Sequence, residues 1–353
     1  MRAEATIRSK TCRKLLRVLA ILPQKAALAM PRMPWLALLG AALTLALTLA
    51  LPGCWTAPLS QVRARATPQP VVIPGLSPCD QPRGGTVVLD PTRPLTLLVH
   101  GCNFSLGGFR TLASVFQAHG QQTICFNYND RDRLEDASAQ LIRALQALET
   151  QMEPTDITIV GHSQGGLVAR RALVAERQDR LQSQSGFRYQ LVTISSPFGG
   201  IRASRHCGLV WLRALSLGTT MAICQAVAGS KWWEIFPGAD FMDEPGTLSP
   251  AVARYLKVVT DERDTCRHHR PDGSCAERDE VFALAEQYNR SVDRDPRVMG
   301  VEVRAGHVEI VGELGTVPAK LIQILQDRHI LAQTPPGRQV ELTALLRRLY
   351  HAR

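Results

Sequence analysis

Aromatic side chains are scarce, 5 % of the 353 residues, and no stripe of basic residues is interleaved with them. That lack argues against a nucleic-acid partner despite a formal net charge of +10, because such surfaces pair cations along the backbone with rings that stack on bases. The charge is not spread along the chain either. Eight basic side chains (Arg2, Arg8, Lys10, Arg13, Lys14, Arg17, Lys25 and Arg32) stand against Glu4 alone in residues 1–33, which leaves +3 for everything beyond. No charge interrupts residues 35–51, and no internal repeat is visible, so a solenoid is not expected. His268, His269 and Asp272 share one short loop, but adjacent histidines usually point apart, and no metal site is expected there.

A basic block directly before an uncharged apolar run is what export machinery and anionic inner-leaflet lipids read. The run is about 17 residues, at the lower limit for a membrane span. It ends in Leu51-Pro52-Gly53-Cys54, which resembles the lipobox of bacterial lipoproteins with Pro52 where a small residue is usual. The resemblance implies lipidation of Cys54 after cleavage; an uncleaved anchor helix is the alternative. Met30 or Met33 could serve as the start. Both readings put the rest of the chain in the bacterial cell envelope outside the cytoplasm, attached to membrane through its N-terminus. Exported proteins keep disulfides. Cys266 with Cys275 would close a polar loop, and Cys207 with Cys224 would bracket an apolar insertion. Seven cysteines follow Cys54, so one is left over.

Residues 1–54 are expected as signal or anchor, 55–74 as a tether, 75–335 as the catalytic domain and 336–353 as a C-terminal tail. Within the domain, a first strand is expected around 85–89. Apolar stretches at 95–99, 123–128, 157–160, 189–194, 255–260 and 298–303 alternate with amphipathic segments at 109–118, 134–152, 166–177, 280–290 and 314–327. Buried strands without polar alternation, separated by helices, predict a mostly parallel sheet covered on both faces. Residues 201–250 break the alternation with a long apolar segment and Trp232-Trp233. They are expected to form a helical insertion, either packed helices or a lid that lends apolar wall to a site.

The chemistry concentrates at Ile157-Thr-Ile-Val-Gly161-His-Ser163-Gln-Gly165-Gly166. An apolar strand runs into Gly-x-Ser-x-Gly and a helix starts at once, so Ser163 is expected on a strained strand-to-helix turn with its hydroxyl presented at the sheet's carboxyl edge. His162 is read as packing. A second strand ends in His100-Gly101-Cys102. Acyl transfer needs two backbone N–H donors for the developing oxyanion, and Gln164, after the nucleophile, and Cys102, after the earlier strand, are the candidates. As a nucleophile Cys102 would lack such a turn; as a disulfide partner it stays open.

His100-Gly101, Gly161-His-Ser-Gln-Gly165 and Thr193-Ile-Ser-Ser-Pro197-Phe-Gly-Gly200 together resemble bacterial lipases and esterases of the α/β-hydrolase superfamily, over residues 95–325. The resemblance implies a three-layer α/β-hydrolase fold and hydrolysis of acyl esters or lipids without a cofactor. It also implies a triad in the chain order Ser, Asp, His. His307 follows a strand and Gly306, as the family's base does. For the acid, Asp279 resembles the family's stretch before the last strand, with Glu280 and Ala283 in place of Gly and Pro; Asp264 is the alternative and Asp261 a third. An acyltransferase or thioesterase would use the same residues, and a non-catalytic surface lipoprotein would keep the fold without the reaction.

Overall fold

A computed structural model describes residues 67–81, 85–102, 105–176, 186–205, 216 and 219–351. The basic segment, the apolar run, Met30, Met33 and Cys54 lie outside the described residues. Among the described residues, no helix is long and apolar enough to cross a membrane.

The strands in chain order are β1 Gln69–Val71, β2 Leu76–Ser77, β3 Val87–Leu89, β4 Leu95–Val99, β5 Gln122–Phe126, β6 Asp156–His162, β7 Arg188–Ile194, β8 Val252–Asp261, β9 Cys266–His269, β10 Cys275–Arg278 and β11 Val298–Arg304. Seven of them form one sheet in the order β11-β8-β7-β6-β4-β5-β2, parallel except for the edge strand β2. The helices are α1 Ser105–Ala118, α2 Leu134–Glu149, α3 Gln164–Ala172, α4 Thr219–Ala228, α5 Asp240–Asp243, α6 Arg290–Asp293, α7 Ala319–Asp327 and α8 Gln339–His351.

Each central strand is buried on both faces. Leu97, Ile159, Leu191 and Tyr255 pack into one core with Leu141 of α2 and Val168 of α3. Their neighbours Leu98, Val160, Val192 and Leu256 pack into the other with Phe116 of α1, Leu325 of α7 and Tyr350 of α8. Side chains alternate faces along a strand, so a run apolar at every position is what a sheet between two helical layers requires. The expected three-layer architecture is therefore present.

Three expectations are corrected. The stretch expected as a tether, 55–74, carries β1, and its Val71 and Ile73 are buried in the first core. Residues 280–290 do not form one helix: a short 3-10 turn, Leu284–Gln287, precedes α6. Residues 336–353 contain α8, whose Tyr350 is buried in the second core. The chain also pairs Cys79 with Cys125, 46 residues apart, across the edge of the sheet. Cys266 pairs with Cys275 as expected. Cys224 is disulfide-bonded, but Cys207 lies outside the described residues. Cys102 is the free thiol among those described. Since a cross-link limits the unfolded chain more when it closes a longer loop, replacing Cys79 and Cys125 with Ala should cost about 2–5 kcal/mol. Opening the 9-residue Cys266–Cys275 loop should cost less, and chemical denaturation of the two double variants measures the difference.

Candidate active site

Register brings the site together. Val99 pairs with Gly161, His162 with Ile194, and Arg304 with Asp261. The strands thus end nearly in line, and the next residues along each chain segment, His100, Ser163, Ser195, Glu262 and the 305–307 loop, emerge at one edge. Cross-strand bonds fix the rim: Ser163 N–H donates to the Ile194 carbonyl at 2.8 Å, Ser195 N–H to that of Val258 at 2.9 Å, and Ala305 N–H to that of Asp261 at 3.2 Å. Ligand sites in open parallel sheets form at this carboxyl edge.

Ser163 has φ 56 and ψ −128, and its hydroxyl does not cap the helix that starts at Gln164. A non-glycine residue in this region is strained and persists only where its surroundings hold it. Close packing does so. A Cβ on Gly165 would lie 2.2 Å from the Val99 carbonyl oxygen, and one on Gly161 would lie 2.5 Å from that of Gly165. Only glycine at both positions lets the turn pack flat on β4. Among the described residues, neither the Gln164 nor the Cys102 backbone N–H donates to a backbone carbonyl outside the helices and strands.

His307 is buried beside this turn. The His162 ring, one residue before Ser163, lies 4.7 Å from the His307 ring, and its Nε2–H donates to the His307 carbonyl at 3.0 Å. Burial, then the neighbouring His307, push the His162 imidazole well below its ordinary value. It is neutral and structural, as its sequence position suggested. The edge of Phe282 packs on the His307 ring at 4.9 Å.

The carboxylate that meets His307 is Glu262. His307 Nδ1 lies 3.0 Å from Glu262 Oε1. The same oxygen accepts from the Ser195 hydroxyl at 2.6 Å and the Thr260 hydroxyl at 2.9 Å, while Oε2 accepts from the N–H groups of Val281 at 2.7 Å and Phe282 at 2.8 Å. Burial alone would raise this carboxyl. The hydrogen bond and charge of His307, helped by Ser195 and Phe282, outweigh burial and hold it below its ordinary 4.5. Ser195, with φ 46, is itself in the left-handed region, which turns its hydroxyl between Glu262 and His307 Nδ1, 2.9 Å away.

The expected acids sit elsewhere. Both oxygens of Asp279 are occupied by the N–H groups of Val308 and Glu309, at 2.9–3.1 Å, and its backbone carbonyl accepts from His307 N–H at 2.9 Å. Asp279 thus braces the loop that carries the imidazole. Gly306 permits this, since a Cβ there would lie 2.0 Å from Asp279 Oδ2. Asp264 is exposed, 4.0 Å from Arg304, and Asp261 pairs with Arg263 at 2.7 Å. Asp279→Asn should lower the melting temperature by a few degrees through the lost charged acceptor, worth ~1–3 kcal/mol, as calorimetry would show. In the sequence, Glu262 is legible only as a carboxylate directly after β8.

Fold and rim define the class: the chain has the α/β-hydrolase fold, with a strained serine where that superfamily carries its nucleophile. A family model described as palmitoyl protein thioesterase matches residues 96–258, from β4 through β8, and ends before Glu262 and His307. No curated protein matches the sequence. Among solved structures, the mature form of Bacillus licheniformis lipase BlEst2 is similar at 15 % identity and TM-score 0.46, over 67 % of this chain and 92 % of that one. A putative cell surface hydrolase from Lactobacillus plantarum aligns at 13 % identity and TM-score 0.40, over 72 % and 97 %. A putative thioesterase from a Silicibacter species aligns at 18 % and 0.41, over 71 % and 82 %.

Proposed function

We propose that the chain is a serine hydrolase of acyl esters working through an acyl-enzyme, with Ser163 as nucleophile, His307 as base and Glu262 as acid. The observation that carries this reading is the pairing of His307 Nδ1 with a fully hydrogen-bonded Glu262 carboxylate at the strand edge that also presents Ser163 on its strained turn. Glu262 keeps the proton on Nδ1 and leaves Nε2 as acceptor. His307 removes the hydroxyl proton as Ser163 Oγ attacks the carbonyl carbon. The Gln164 and Cys102 N–H groups stabilise the tetrahedral oxyanion, and His307 returns the proton to the leaving group. Water, activated by the same imidazole, then releases the acid and frees Ser163.

The leaving group decides between oxyester and thioester, and the family-model match favours testing the thioester. Exposed Ile223, Val227 and Trp233 of the insertion support an apolar acyl chain as substrate. A matched set of p-nitrophenyl esters and acyl-cysteine thioesters of increasing chain length, with mass spectrometry of fluorophosphonate-treated protein, tests the proposal. Turnover of either series with the label on Ser163 supports it; no turnover and no label would sink it.

The anchor remains part of this reading. Two disulfides among the described residues suit an oxidising compartment, and the Cys54 motif suits attachment to the envelope membrane. Metabolic labelling with a palmitate analogue should mark the wild type and be lost in Cys54→Ala.

A further inference from the structure

Lys231 belongs to the insertion, in the 3-10 turn Ser230–Trp233 that follows α4, yet it reaches the rim of the site. It is buried, 6 % exposed. Its Nζ donates to Gln164 Oε1 at 2.6 Å, to Cys102 Sγ at 2.9 Å and to the Asp130 carbonyl at 2.5 Å. The Cys102 thiol in turn donates to Gln164 Oε1 at 2.6 Å. One ammonium therefore holds the side chains of both residues assigned above as oxyanion donors, which come from strand ends 62 residues apart. Burial pushes the Cys102 thiol up, and Lys231 opposes that rise, as a cation bordering a water-poor site should.

The turn that carries Lys231 is fixed from the β5–α2 loop. The Arg131 guanidinium donates to the carbonyls of Gln225, Ala226 and Val227 at the end of α4, and Ser230 N–H donates to the Arg131 carbonyl at 2.7 Å. Gly229 has φ 75, and a Cβ there would lie 2.3 Å from that carbonyl. Trp232 is buried alongside and stacks on Trp233 with centroids 3.9 Å apart. The three groups that accept from Nζ are neutral, so hydrogen bonds offset the desolvation of the ammonium only in part, although the Asp130 carboxylate is near enough to act on Cys102. A charge so placed favours the negatively charged tetrahedral state over the neutral carbonyl that precedes it.

We infer that Lys231 is a positioning residue of the oxyanion site, supplied by the insertion: it holds Cys102 and Gln164 in register and lends positive potential to the oxygen they bind. This rests on the hydrolase reading above. The test compares wild type with Lys231→Met, Lys231→Gln and Lys231→Arg for kcat and KM on a p-nitrophenyl ester and for inhibition by an alkyl boronic acid, which mimics the tetrahedral state. The Met and Gln variants should lose kcat by about 10–100-fold, keep KM within about twofold, and weaken boronate binding by the factor lost in kcat/KM. Lys231→Arg, which keeps the charge, should recover part of the loss. Should the Met variant fail to fold, the Gln variant decides. The inference is overturned if Lys231→Gln keeps kcat within about twofold of wild type, if KM takes the loss, or if Arg does no better than Gln. A wild type that neither turns over ester nor labels at Ser163 fails the hydrolase reading itself, and the role of Lys231 falls with it.

Discussion

Ser163→Ala should abolish fluorophosphonate labelling and lower ester turnover by about 10⁶-fold, since removing the nucleophile of such a unit costs about as much as removing the whole of it. The expected thermal change is small and in the stabilising direction. Ser163 stores strain at φ 56, and although Ala does not relieve the backbone, it removes a hydroxyl that does not cap α3. Activity lost at an unchanged or raised melting temperature is thus the signature of a residue kept for chemistry. Loss accompanied by a melting temperature several degrees lower would mark Ser163 as structural and remove the nucleophile from the proposal.

The second large effect is expected from Glu262→Gln, at about 10³–10⁴ in kcat. The amide can still accept at one atom but cannot hold a developing imidazolium, and it allows the wrong tautomer of His307. Asp279→Asn on the same assay should change the rate far less, so the pair of variants decides which carboxylate serves the imidazole. A pH series adds an independent check. The Glu262 carboxyl is held below its ordinary value in the folded protein, so its contribution to stability is complete above the unfolded value near 4.5 and is lost as pH falls through the lower folded value. Melting curves of the wild type should therefore drop more steeply below about pH 4 than those of Glu262→Gln. Parallel curves would show that the carboxylate is not stabilised as its hydrogen bonds imply.

What could be read from the chain was what local pattern encodes. The strand running into Gly161-His-Ser-Gln-Gly165 announces itself, because glycine spacing and an apolar run are properties of ten consecutive residues. The buried strands were legible for the same reason. Glu262 was not. It meets His307 from 45 residues away, and nothing local separates it from Asp261, Asp264 or Asp279. The failed helix at 280–290 has a related cause. Its sequence favours helix, but the N–H groups of Val281 and Phe282 are drawn to the Glu262 carboxylate. The Glu286 side chain turns back to the N–H groups of Ala283 and Arg202, each at 2.5 Å, and the Gln287 amide is spent on the backbone of Thr260. Tertiary hydrogen bonds there override intrinsic propensity. The 46-residue disulfide and the ammonium of Lys231 at the rim were equally beyond local pattern, since each joins segments that only the folded sheet brings side by side.

The last helix has a practical consequence. Ile310 and Val311, just past the imidazole-bearing loop, share a core with Tyr350, and a Cβ on Gly312 would lie 2.7 Å from the Tyr350 ring. Helix α8 therefore acts as a clasp on the stretch that follows His307. A polypeptide stopped early, by nonsense mutation or proteolytic clipping before residue 339, would retain every group assigned to the reaction and still leave one of them without its backing.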